Sequence, residues 1–580
     1  MATFSLSPSV EIKEIDQTTI VPGVASAIGA FAGAFSWGPV HEIMTINDES
    51  QLISTFSKPT ELNYEHFFSA ASFLSYSNNL KVVRAKQTGM TNANSSATED
   101  FVLYNVDDYN SLAETGGVSP LATGFCSRFP GVIGNSITVS YCLACDAGDF
   151  STWQYSNYFN EEPNTSSYAS LRGSAYDEIH IIVIDTNGKI TGVPGSILER
   201  FEFLSIASDA KTDAGGSLYF KDVLAEQSKY ILFLSNDADL ETANAGDVVE
   251  DTPVYYNREA GSPTVNPSST YSLSKGADGA LPTVAQRIEA VDFFKDEENV
   301  DVNLLIGGPT PTDSLEDMRL YCNYLTQNIA ESRHDSVAFV SPPTGGTYTS
   351  VNQSNTNNVQ AFLDVLNSTS FGVADTNPIK VYDKYNDTYR WIPANGSIAG
   401  LCAHTDEVAD AWWSPAGFNR GILKNVVRVG YNPNKSARDD LYKKRGNPIV
   451  EFPGQGIVLY GDKTLLSRPS AFDRINVRRL FNILEKSIAT AARYMLFEFN
   501  DEFTRAQFVN MVEPFLRNVK GRRGIYDFKV ICNSTNNPQD VVDRNEFVGD
   551  IYVKPARSIN NIRLSFIATR TGVNFEEIVE

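Results

Sequence analysis

Three stretches of the sequence carry residue types that could do chemistry. Gly456-Ile457-Val458-Leu459-Tyr460-Gly461-Asp462-Lys463-Thr464 is one residue longer than G-x4-G-K-[S/T], the loop in which backbone N–H groups and a lysine cradle phosphate. The extra Asp462 moves the lysine out of register, and Ile457 to Tyr460 are residues of a buried strand. The expectation is a strand and a tight turn. Cys142-Leu143-Ala144-Cys145 has redox or zinc spacing, but no second pair lies near it, so two cysteines at a strand end are expected. His404, Asp406 and Asp410 lie off the spacings of metal and acid/base motifs. No catalytic residue, cofactor site, cofactor or metal ligand is therefore assigned.

The element that follows the near-loop is more informative. From Ile475 the apolar positions Leu480, Ile483, Leu484, Ile488, Ala491, Met495 and Leu496 recur at steps of three and four, predicting a long helix with one apolar face. Arg478, Arg479, Lys486 and Arg493 are placed on its other face. Arg478 and Arg479 are adjacent, so at least one should point away from the buried stripe. A second amphipathic segment, residues 503–519, runs into Arg517, Lys520, Gly521, Arg522, Arg523 and Gly524. Basic residues there suit the helix dipole, and they also make an electrostatic surface. Strands are expected at 528–532, 547–553 and 562–567.

Both ends of the chain alternate apolar and polar residues. Val10, Ile12 and Ile15 belong to an N-terminal run that reads as a strand, and Phe575 and Ile578 to a similar C-terminal run. A lone terminal strand must pair either with its own domain or with a sheet edge on another chain.

Composition narrows the classes. With 580 residues the chain is long enough for several domains, and 39 Gly with 26 Pro indicate many turns. The formal net charge of −23 argues against a protein that coats nucleic acid. The charge is uneven: residues 421–580 hold 25 Lys and Arg against 18 Asp and Glu, leaving the remainder strongly acidic. Such asymmetry indicates two different surroundings or partners. Six scattered cysteines do not make a disulfide framework, so free thiols in a reducing cytosol are expected. The apolar stretch 21–37 contains Pro22 and is short for a membrane span. A hydrolase would need a clustered nucleophile and base, and five scattered histidines offer none.

Along the chain, residues 35–39, 67–74 and 80–85 read as turn, helix and strand. A Thr/Asn/Ser linker at 90–97 marks a boundary, and a β-rich insertion follows, with a hairpin signal at Asp185-Thr186-Asn187-Gly188. From about 273, helices alternate with the apolar strands 302–306 and 337–340, which predicts a mostly parallel sheet. Gly307-Gly308-Pro309 could be a ligand loop of such a sheet, but no G-x-G-x-x-G follows. Residues 341–360, rich in Thr, Gly, Ser and Asn, are expected to form an exposed loop.

Several of these motifs, in order, resemble the contractile tail sheath proteins of myoviruses and related injection machines. The resemblance rests on Tyr460-Gly461-Asp462-Lys463-Thr464-Leu465 followed by Ile475-Asn476-Val477-Arg478-Arg479-Leu480. It extends to Phe35-Ser36-Trp37-Gly38-Pro39 before Leu80-Lys81-Val82-Val83-Arg84, and to Trp391-Ile392-Pro393-Ala394-Asn395-Gly396 before Pro415-Ala416-Gly417. Lys463 departs from the family's Arg, keeping the charge and losing the planar fork.

The resemblance implies a mixed α/β, α+β multidomain fold: a C-terminal inner domain completed by extended arms, and a β-rich insertion forming the outer part. The expected divisions are an arm at 1–22, core at 23–90, insertion at 91–270, an α/β domain at 271–455, the inner domain at 456–570 and an arm at 571–580. It also implies a helical homo-oligomer in a virion tail, assembled in the host cytoplasm. The tail tube, baseplate and tail terminator proteins would be its partners, with no nucleic acid and no direct membrane insertion. A phage-tail-like injection particle is the alternative setting. Val10, Ile12, Ile15, Phe575 and Ile578 are then inter-subunit anchors. Arg478, Arg479, Arg517, Lys520, Arg522 and Arg523 are candidate contacts to the tube or to other subunits.

Overall fold

The computed structural model describes residues 21, 25–95, 100–114, 124–144, 149–234, 268–312, 314–345 and 352–560. The terminal anchors Val10, Ile12, Ile15, Phe575 and Ile578, the strand expected at 562–567 and Cys145 lie outside them. Contacts divide the chain into two compact units: residues 25–411 with 415–482, and Trp412–Ser414 with the chain from Ile483. Helix Ile475–Ala492 carries the chain from one to the other.

The larger unit is built on a seven-stranded sheet in the order Gly446–Asn447, Gly372–Asp375, Val337–Val340, Leu304–Ile306, Gly29–Gly33, Leu80–Arg84, Ile43–Ile46. All neighbours are parallel except the last pair. The short apolar runs that predicted a parallel sheet are its strands, buried on both faces as that architecture requires. Strands from residues 25–90 and from 271–455 thus share one sheet, since Gly29 pairs with both Leu80 and Leu304. The hairpin Ile449–Phe452/Gly456–Leu459 belongs to the same core, with Ile449, Ile457, Leu459 and Ile475 buried in it.

Among the described residues between Arg84 and Val284 the chain forms two antiparallel sheets. Four antiparallel strands lie in the order Ser196–Ser205, Glu178–Asp185, Ile137–Leu143, Ser268–Ser272. The hairpin signal at Asp185 opens a longer loop than a two-residue turn. Asp185 accepts hydrogen bonds from the N–H groups of Lys189, Ile190 and Thr191, which closes that loop on itself.

One expectation is corrected here. Residues 352–360 are not loop but the first part of helix Asn352–Val365, in which Val359, Phe362 and Leu363 are buried at helical spacing. The polar stretch concealed a helix whose apolar stripe begins late.

Helix Asn395–Val408 is buried over most of its length and crosses helix Tyr64–Leu74 closely. A Cβ on Gly396 would lie 2.1 Å from the Ser69 carbonyl oxygen, a backbone atom that cannot swing away. Gly396→Ala is therefore expected to destabilise the chain by about 1–3 kcal/mol, as overpacking does, read as a lower urea midpoint. An unchanged midpoint would mean that this crossing is not tightly held.

Candidate functional site

The near-phosphate loop is a strand and turn, as its residues indicated. Gly456–Leu459 pairs antiparallel with Ile449–Phe452, and Lys463 turns inward. Its Nζ donates to the Tyr442 carbonyl at 2.9 Å and lies 4.2 Å from the Tyr442 ring. Burial, with Arg474 nearby, lowers the pKa of this lysine. Its backbone N–H donates to Asn447 Oδ1 at 2.7 Å. The lysine braces the turn and offers nothing to a phosphate.

The Gly307-Gly308-Pro309 loop is plugged by the chain itself. Arg287 Nη2 donates to the Gly307 carbonyl at 2.7 Å, Tyr321 Oη to the same oxygen at 3.0 Å, and Asn395 Nδ2 to the Gly308 carbonyl at 2.8 Å. Beside it, Asp375 is buried, accepts from Ser341 Oγ, and is pushed up to about 8 by desolvation. His404 and Asp406 are not brought together: His404 faces Glu407 at 3.7 Å, and Asp406 pairs with Arg479. Among the described residues no group of three or more His, Cys, Asp or Glu could hold a metal ion. Cys126, Cys142, Cys322, Cys402 and Cys532 are buried and in no disulfide. Among the described residues no helix is long and apolar enough to cross a membrane.

The arginine pair on the long helix corrects the sequence reading, for both side chains are buried, Arg478 at 5% and Arg479 at 4% exposure. Arg479 Nη2 meets Asp406 Oδ2 at 2.6 Å and the Ser26 carbonyl at 3.1 Å, and Nη1 donates to the Cys402 carbonyl at 3.1 Å. Arg478 donates from Nε to Asn482 Oδ1 at 2.7 Å, and its guanidinium lies 4.3 Å from the Phe371 ring and 4.9 Å from Phe472. A planar guanidinium can stack and bond at once, so the pair acts as internal bracing. In this fold neither presents a charge to a partner.

The other four cations are exposed. Helix Glu502–Gly521 starts at Asp501, whose side chain accepts from Thr504 N at 2.8 Å, and buries Phe508, Met511, Val512, Leu516 and Val519. Arg517 pairs with Glu513 at 2.7 Å and Lys520 with Asp527 at 3.0 Å. Exposed pairs of this kind contribute about 0–1 kcal/mol, so a partner's carboxylate can replace them cheaply. The helix ends with Arg523 N bonded to Lys520 O at 3.1 Å and Gly524 N to Val519 O at 2.9 Å. That is a Schellman closure with Arg523 at φ +64° in the place glycine prefers. Arg522 lies 5.4 Å from the Trp412 ring, and its carbonyl accepts from Trp412 Nε1 at 3.1 Å.

Ile525–Ile531 and Asp550–Pro555 then form a two-stranded antiparallel sheet. Among the described residues neither outer edge is paired. Sequence reasoning missed a further surface: helix Ile475–Ala492 stops before Met495 and Leu496, and Leu496, placed on the apolar stripe, is exposed. The signal was present in Tyr494, Phe497, Phe499 and Phe503, four aromatics within ten residues, too dense for one helix face.

Charged side chains brace the core, the glycine loop is filled by its own chain, and among the described residues the sheet Ile525–Ile531/Asp550–Pro555 has only two strands. Comparison with known proteins gives the family. Residues 282–465 match the model of the phage tail sheath protein central domain, and residues 467–569 that of the phage tail sheath C-terminal domain. The tail sheath protein of Vibrio phage KVP40 is 33% identical, covering 99% of both chains, and that of Enterobacteria phage T4 is 32% identical, also over 99% of both. The crystal structure of the sheath tail protein Lin1278 from Listeria innocua shares the fold, with a TM-score of 0.52, 11% identity and coverage of 92% of this chain and 96% of that one. The chain belongs to the phage tail sheath protein family, and it is a tail sheath subunit.

Proposed function

We propose that copies of this chain polymerise helically around a tail tube in a metastable extended state. On a signal from the baseplate the sheath contracts and drives the tube through the host envelope, so that the genome can follow. The role is mechanical, breaks no covalent bond, and needs only two packings of one chain separated by a barrier. The tube, the baseplate and a tail terminator are its partners, and assembly takes place in the host cytoplasm. The named relatives are phage proteins, which favours a phage tail over a free injection particle.

The observation that supports the assembly reading is the two-stranded sheet Ile525–Ile531/Asp550–Pro555, whose outer edges are unpaired among the described residues. Arms of neighbouring copies, anchored by Val10, Ile12, Ile15, Phe575 and Ile578, would add strands there, with backbone bonds supplying affinity and alternate side chains the register. Contacts of this heterologous kind that do not close build a helix. Arg517, Lys520, Arg522 and Arg523 are the exposed cations offered to the tube or to a neighbour. Deleting residues 573–580 is expected to leave a chain with wild-type thermal stability that no longer pellets as polymer. Normal sheaths from that truncation would remove the arm from the proposal.

A further inference from the structure

Between its two long helices the smaller unit makes a turn that displays apolar side chains to water. Helix Ile475–Ala492 passes through a single 3-10 turn, Arg493–Met495, before helix Glu502–Gly521 begins. Tyr494 is 83% exposed, Leu496 64%, Phe499 84% and Phe503 77%, and Phe497 is fully exposed. Single exposed apolar residues are ordinary, but five within ten positions are not.

The backbone under them is also unusual. Glu498 N donates to the Met495 carbonyl at 3.3 Å, Leu496 has φ −63° and ψ 139°, and Phe497 has φ +71°. These are the dihedral angles of a type II turn, whose third residue is normally glycine or asparagine because a Cβ is strained there. Phenylalanine holds that position with its ring entirely in solvent. A strained, solvent-facing aromatic gives the isolated chain no packing in return, so its benefit lies in a contact outside the chain.

We propose that this aromatic turn is a seat for a second copy of the chain, the apolar contact between neighbouring sheath subunits. The inference rests on the proposed polymerising function. Five such side chains present on the order of 750 Å², at about 150 Å² each. That is close to the roughly 800 Å² per partner that a stable protein interface covers. Tyr and Phe at the centre with Glu498, Asn500, Asp501 and Glu502 around them is the composition of an interface core and its rim. The turn is held ready for docking. Arg505 donates from Nε to Asn500 Oδ1 at 2.8 Å and from Nη2 to the Asn500 carbonyl at 3.0 Å, and Asn500 Nδ2 donates to the Glu546 carbonyl at 2.8 Å.

A second copy fits better than the tube. Every subunit of a homopolymer carries the same exposed turn, so a second copy can cover it at each repeat with an area of the size a stable interface needs.

The test uses the full chain with Phe497→Gly, and separately with Phe497→Gly and Phe499→Ser combined. Glycine fits the turn better than phenylalanine, so the thermal midpoint of the single variant is expected to equal or exceed that of wild type. Its critical concentration for polymerisation, measured by sedimentation, is expected to rise at least tenfold, and that of the double variant further. Polymerisation of both variants at the wild-type critical concentration would overturn the proposal and leave the tube or baseplate as occupant. A lowered thermal midpoint for Phe497→Gly would also overturn it, by showing that the ring acts within its own chain. If wild type itself never polymerises, the sheath reading fails first, and this contact with it.

Discussion

Truncating Arg479 to alanine is expected to lower stability by about 3–5 kcal/mol, the loss that follows when one partner of a buried ion pair is removed. The guanidinium and the Asp406 carboxylate meet at 2.6 Å with side-chain exposures of 4% and 8%. Without Arg479 the carboxylate stays buried without its counter-charge, and the carbonyls of Ser26 and Cys402 lose their donors. The cost is the desolvated orphan, and the attraction between the charges is the smaller part of it. Arg479→Met combined with Asp406→Leu should therefore recover most of the stability. Arg479→Lys should recover only a fraction, because an ammonium cannot serve three acceptors spread around a planar fork. Urea unfolding checks all three, and an Arg479→Ala variant within 1 kcal/mol of wild type would contradict the bracing role.

Stability is expected to fall as pH rises from about 4 to about 8, with Asp375 as a principal cause. Burial raises its folded-state pKa to about 8, whereas an unfolded aspartate titrates near 3.9. Below the unfolded value both states hold the proton and the group contributes no pH dependence. Between the two values only the folded state keeps its proton, so the unfolded state is favoured by about 1.4 kcal/mol for each pH unit. Above the folded value the penalty is full and the slope vanishes. Ser341 Oγ donates to one carboxyl oxygen, and that bond together with the backbone N–H groups of Asn377 and Asp375 offsets only part of the burial penalty on the ionised form. Asp375→Asn should flatten this part of the profile and stabilise the chain at pH 8, by several kcal/mol as an order of magnitude. A variant whose pH profile keeps the wild-type slope would show that Asp375 is ionised when folded.

Much of the core was legible because its signals are local. The strand Val337–Val340 and the helix Tyr64–Leu74 follow from runs of β-branched residues and from helical periodicity, and they lie where those patterns put them. The pairing of Gly29 with both Leu80 and Leu304 is a contact over long separations, invisible to any window. Helix Asn352–Val365 was hidden because its first turns are Asn, Gln, Ser and Thr, residue types that also make loops.

At the candidate site the limits were of a different kind. Residue type argues for exposure of arginines, and burial of Arg478 and Arg479 depends on partners, one of them 73 positions away in sequence. Apolar spacing carried the helix on through Leu496, because nothing in a periodic pattern announces a type II turn occupied by phenylalanine. Arg517, Lys520, Arg522 and Arg523, read from the sequence as candidate contacts to the tube or to other subunits, are exposed at the end of helix Glu502–Gly521 and just beyond it.

The central claim is assembly, and electron cryomicroscopy of the purified full chain at high concentration tests it most directly. The account predicts hollow, striated helical tubes in which strands from neighbouring copies extend the sheet Ile525–Ile531/Asp550–Pro555. Closed oligomers with that sheet still two-stranded would contradict it.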